Sequence, residues 1–113
     1  MEIIQRYEDE ILTILLKGEL DAKSSIDLDE TIKLALMQEK TRIIVDCQQL
    51  SYISSAGLGV FISHLDDLKA YGGKFVFYGM NGSVYNVFEI LGLHTIMEIV
   101  RDRFEAQTLM NES

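Results

Sequence analysis

The sequence predicts an α/β domain: a mixed β-sheet that opens with an antiparallel hairpin, continues as parallel strands and is packed by about four α-helices. Three observations carry this. Two β-rich segments, residues 2–7 and 11–17, are separated by the acidic triplet Glu8-Asp9-Glu10, which is short enough only for a hairpin. Beyond Gly18, apolar residues recur by turns at helical and at strand spacing. Residues 42–46 hold the consecutive β-branched residues Ile43, Ile44 and Val45, the mark of a strand covered on both faces.

After the hairpin, Leu28, Ile32, Ala35 and Leu36 form a helical stripe, with Ser24 or Ser25 expected to supply the N-cap oxygen. The strand at 42–46 is followed by a segment read as a loop over residues 47–53. A second helix carries Leu58, Phe61, Ile62, Leu65 and Leu68 on one stripe, and Gly72-Gly73 stops it. Residues 74–78 are a strand, 79–82 its loop, and Val84, Val87, Phe88 and Leu91 a third helix ended by Gly92. A strand at 95–100 and a short helix around Phe104 and Leu109 close the chain. Strands joined through helices run parallel by right-handed crossovers, with the helices expected mainly on one face.

At 113 residues, 48% of them apolar and 25% charged, the chain suits one globular domain spanning residues 1–113. A net charge of -8 argues against nucleic acid, whose affinity comes from clustered Lys and Arg. The basic residues are interspersed with acids, which gives no polybasic membrane anchor, and no apolar run approaches the roughly 20 residues of a membrane span. The lone Cys47 excludes an intrachain disulfide and a cysteine-rich zinc site. The acidic N-terminal stretch lacks the layout of a signal peptide, so the expectation is a cytoplasmic protein without membrane insertion.

Residues 46–60, Asp46-Cys47-Gln48-Gln49-Leu50-Ser51-Tyr52-Ile53-Ser54-Ser55-Ala56-Gly57-Leu58-Gly59-Val60, cross from a buried strand into an amphipathic helix. One reading is structural: Ser54 or Ser55 caps the helix, and Gly57 and Gly59 allow close packing on the sheet. The other is functional. A serine at a helix start lies where backbone amides and the helix dipole stabilise an added phosphate, whose charge of about -1.5 to -2 acts on whatever docks there.

The same stretch resembles the signature of the STAS domain family of anti-sigma factor antagonists: an acid, the phosphorylated serine, a serine or threonine, then Gly-Leu-Gly. Ser54 stands at the acid, Ser55 at the acceptor and Ala56 at the small residue, and Gly57-Leu58-Gly59 match. Gly18-Glu19-Leu20-Asp21 resembles the family's Gly-x-Leu-Asp, Asp46 the acid ending its third strand, and Phe88-Glu89-Ile90-Leu91-Gly92-Leu93 its C-terminal helix and exit. These matches keep the family's order over nearly the whole chain.

The resemblance implies the STAS fold and a binding switch. The unphosphorylated antagonist binds an anti-sigma factor that is also a serine kinase, phosphorylation weakens the complex, and a metal-dependent serine phosphatase of the PP2C type reverses it. It implies Ser55 as phosphate acceptor, with Ser54 as the alternative, and a partner-binding edge at Asp21, Ser54, Ser55, Ala56, Gly57 and Leu58. Asp21 is equally readable as a helix cap, and Asp46 as an anchor for residues 47–53. A constitutive STAS scaffold, such as the small subunit of a transporter, is the alternative function.

No residue set points to catalysis, a cofactor or a metal. His64 is expected on the surface beside an apolar stripe, His94 in a loop, and Cys47 as an inert thiol after a buried strand. Gly79-Met80-Asn81-Gly82 lacks the lysine and spacing of a phosphate-binding P-loop and reads as a tight connection.

Overall fold

The structure is a computed structural model that describes residues 1–112. β1 (Glu2–Glu8) and β2 (Ile11–Leu20) lead into α1 (Ala22–Met37), β3 (Arg42–Ile53), α2 (Ser55–Ala70), β4 (Lys74–Tyr78) and α3 (Gly82–Ile90). A 3-10 turn at Leu93–Thr95, β5 (Glu98–Val100) and α4 (Arg103–Asn111) complete it. The strands form one sheet in the order β1-β2-β3-β4-β5. β1 runs antiparallel to β2 and every later pair is parallel, which is the expected mixed sheet. Glu8 pairs with Ile11, so Asp9 and Glu10 make a two-residue turn, both with positive φ (53° and 65°), the handedness that matches strand twist.

The β-branched run in β3 explains the layering. Ile43 and Val45 face one way and join Leu12, Ile14, Phe75 and Phe77 in a core covered by α1, α2 and α3. Phe61 of α2 stands edge-on to Phe75 and Phe77, with centroids 5.5 and 4.9 Å away. Ile44 faces the other way and packs with Val76 and Tyr78 against Ala106 and Met110 of α4. Three helices therefore share one face and α4 covers the other.

Four local expectations are corrected. β3 does not stop at 46: residues 47–53 continue it, paired with β2 across two irregularities where β3 carries an extra residue. The N-cap of α1 is Asp21, not Ser24 or Ser25, so the helix starts earlier. The last strand begins at Glu98 rather than at 95, because Gly92 (φ 72°) turns the chain into the 3-10 segment, where the Thr95 hydroxyl donates to the Gly92 carbonyl. His64 is buried, not on the surface; its Nε2 lies 2.7 Å from Asp29 Oδ1, and Asp29 also pairs with Lys33 at 2.9 Å. That link ties α2 to α1, because Asp29 and His64 lie on facing helices.

Candidate functional site

β2 and β3 end side by side: Leu20 pairs with Ile53, and the Ser54 amide donates to the Leu20 carbonyl at 2.9 Å. The next residue on each strand, Asp21 or Ser54, caps the helix that follows. The Asp21 carboxylate accepts from the Ser24 amide and hydroxyl, both at 2.9 Å, and the Asp21 amide donates to Ser24 Oγ at 3.0 Å. The amide bond first, and the hydroxyl second, hold the Asp21 carboxyl below its usual range. Ser54 Oγ accepts from the Gly57 amide at 3.1 Å. One strand further on, Asn81 caps α3 by accepting from the Val84 amide at 2.8 Å, and its Nδ2 donates to the Leu50 carbonyl at 3.2 Å. Three helix starts thus line the C-terminal edge of the parallel strands, where open α/β sheets place their sites.

Ser55 is the first residue of α2 and its side chain is exposed, as is that of Ala56. The two serines are divided by backbone conformation. Ser54 is the last extended residue (φ -86°, ψ 168°), so its oxygen turns in to the helix amides; Ser55 is already helical and its hydroxyl faces water. The first two turns of α2, Ser55 to Ile62, carry no charged residue, while Glu19 and Asp21 stand exposed on the neighbouring strand end.

Two of the residues expected at the partner-binding edge lie beneath the surface. Gly57 and Leu58 are buried: Leu58 is 3% exposed, and a Cβ on Gly57 would lie 2.8 Å from the Leu20 side chain. They seat α2 on the sheet, beneath the surface that Asp21, Ser55 and Ala56 present and that the half-buried Ser54 borders.

Asp46 is likewise not at a strand end but inside β3, on the α4 face. Its carboxylate accepts from the Gln48 amide at 3.0 Å, beside the first strand irregularity, and from the Tyr78 hydroxyl at 2.8 Å. Burial first, and Asp46 second, push the Tyr78 hydroxyl up to about 12, so it stays protonated and donates. Asp46 anchors residues 47–53 as expected, though as strand rather than loop. Burial pushes the Cys47 thiol up, which keeps it unreactive.

Sequence reasoning missed Asn81 at this edge. Its signal was an Asn three residues ahead of the apolar stripe that starts at Val84. Away from this edge, a cleft of about 180 Å3 lies between the hairpin and α4, lined by Arg6, Thr13, Ile44 and Arg103 among others. Among the described residues no group of three or more His, Cys, Asp or Glu forms a metal site, and no helix is long and apolar enough to cross a membrane.

The STAS domain model matches residues 3–106. The anti-sigma-B factor antagonist of Listeria monocytogenes is 32% identical over 99 residues, which cover 88% of this chain and 86% of that protein. Among solved structures, the phosphorylated form of the Bacillus cell fate determinant SpoIIAA aligns with a TM-score of 0.75 at 26% identity, over 95% of this chain and 97% of its own. A crystal structure of a Thermotoga maritima protein shares the fold at a TM-score of 0.91 and 20% identity, covering 96% of this chain and 94% of its own. With the family's model spanning nearly the whole chain and its mixed sheet seen strand for strand, this chain belongs to the STAS domain family.

Proposed function

We propose that this chain is an anti-sigma factor antagonist: its unphosphorylated form docks on an anti-sigma factor through the edge formed by Asp21, Ser54, Ser55 and Ala56, and a phosphate on Ser55 turns docking off. The observation that carries the reading is the exposed hydroxyl of Ser55 at the first position of α2, with the cap already supplied by Ser54. Ser55 is therefore spare. It can be modified without removing a bond the fold uses.

The transfer belongs to the partner. An anti-sigma kinase supplies ATP and a base; the Ser55 oxygen attacks the γ-phosphorus, the bond to the β-phosphate oxygen breaks, ADP leaves and the hydroxyl proton goes to the base. A metal-dependent serine phosphatase of the PP2C type reverses the step with water, returning serine and inorganic phosphate. In both directions this chain is the substrate.

The fold accepts the phosphate because its charge lies at the positive end of α2, near amides with no intrahelical acceptor. The docking surface does not. About -1.5 to -2 of charge arrives on an uncharged double turn beside the acids Glu19 and Asp21, so a partner shaped for the bare serine meets both bulk and repulsion. Ser54 at the family's acid position keeps the cap, since serine and aspartate cap a helix about equally well.

Incubation with the anti-sigma kinase of the same organism and ATP tests this. One phosphate is expected on the wild type and none on Ser55→Ala; labelling that survives in Ser55→Ala discards the site. A wild type that binds its partner but takes no phosphate fits a constitutive scaffold instead.

A further inference from the structure

The two glycines in the first turns of α2 have different causes. Gly57 is required by the fold, because any Cβ there would meet Leu20 at 2.8 Å and Ile53 at 3.1 Å. Gly59 has no such reason. It lies inside the helix, exposed, with no positive φ, and a Cβ built on it meets nothing within 4 Å. Glycine in a helix interior is less stable than alanine, because it surrenders more backbone entropy on folding. The chain gives up stability at a point where its own packing asks for nothing.

What the missing side chain leaves clear is the neighbourhood of Ser55. Residues four apart share a helix face, so Gly59 stands in the same row as Ser55. Helical side chains also lean toward the N-terminus, so any group at position 59 would lie back over the turn that holds Ser55 and Ala56. The exposed residues of this double turn are Ser55, Ala56, Gly59 and Ile62. They form a low, uncharged strip that rises only at Ile62.

We propose that Gly59 sets the closest approach of the anti-sigma factor: its bare backbone lets an uncharged stretch of the partner's main chain lie against α2 and bring a kinase site onto Ser55. This rests on the docking reading above and adds to it the residue that sets the fit. It also states the kind of partner surface, one of main chain and small residues rather than of projecting charged side chains.

The test compares Gly59→Ala and Gly59→Gln with the wild type, measuring the thermal midpoint of the isolated chain and its affinity for the purified anti-sigma factor of the same organism. Both variants are expected to fold, with Gly59→Ala raising the midpoint by about 2–6 °C. Affinity is expected to fall about tenfold for alanine and further for glutamine, by the steric cost of overfilling a close contact. A lowered midpoint in Gly59→Ala means the glycine serves the fold, and overturns the proposal. So does a Gly59→Gln variant that binds as tightly as the wild type. A wild type that does not bind overturns the docking reading itself, a different result from a wild type and variant that bind alike.

Discussion

The adjacent serines show how one dihedral separates a capping hydroxyl from an exposed one. Both hydroxyls are spaced correctly for a cap, and the sequence offers no means of choosing, because the choice depends on which residue is the last in extended conformation. That residue is Ser54. Ser54→Ala should therefore cost about 1 kcal/mol of stability, while Ser55→Ala stays within about 0.5 kcal/mol of the wild type; urea unfolding of the two variants checks the ordering. Asp46 offers a second case. Its buried carboxylate depends on the Tyr78 hydroxyl and the Gln48 amide, so Tyr78→Phe leaves a buried acceptor short of a partner and should cost about 1–3 kcal/mol in the same measurement. An unchanged midpoint would mean that the pair contributes nothing to holding β3 against β4. Leu58 and Gly57 are legible as functional only through their place in a motif; their burial shows that they seat the helix on the sheet.

Among elements, the hairpin, the central strand, β4 and the apolar stripes of α1, α2 and α3 were readable, because burial on one face imposes a period that survives in the sequence. The second half of β3 was not. Two extra residues relative to β2 break the alternation there, and Gln48, Gln49 and Ser51 read as loop when taken without the neighbouring strand that pairs with them. The start of α1 is ambiguous for a related reason: Asp21 and Ser24 form a reciprocal pair, so the sequence offers Ser24 or Ser25 for the cap as readily as the Asp21 that provides it. His64 was placed on the surface because its carboxylate partner comes from α1, 35 positions away in sequence. The Asp21 cap also makes a pH prediction. Its carboxyl is held below the usual range in the fold, so its contribution is present above the unfolded value near 3.9 and is lost as pH falls through the lowered folded value. Asn caps a helix but does not titrate, so Asp21→Asn should flatten the decline in stability as pH falls below about 4. Parallel profiles for the two proteins would show that the bond to Ser24 does not hold the charge.

At the scale of the molecule, a sheet with every strand in chain order delivers the starts of α1, α2 and α3 to one edge, where the proposed docking surface lies, while α4 covers the face opposite those three helices. Because Ser54 supplies the cap and Ser55 is exposed, the proposed switch would act on docking rather than on folding. Ser55→Asp should weaken binding to the anti-sigma factor by about tenfold or more while the thermal midpoint stays within about 2 °C of the wild type; a large drop in the midpoint would return Ser55 to a capping role. The fold and the family were legible because order and spacing of several weak motifs had to agree, whereas the site required coordinates to separate what faces solvent from what lies beneath it. Phosphopeptide mass spectrometry on the protein taken from its own cells, with fragments that resolve Ser54 from Ser55, tests the central claim most directly. A phosphate on Ser55 and an unmodified Ser54 are expected; phosphate on Ser54 alone, or on neither serine under conditions where the kinase is active, would contradict the proposed switch.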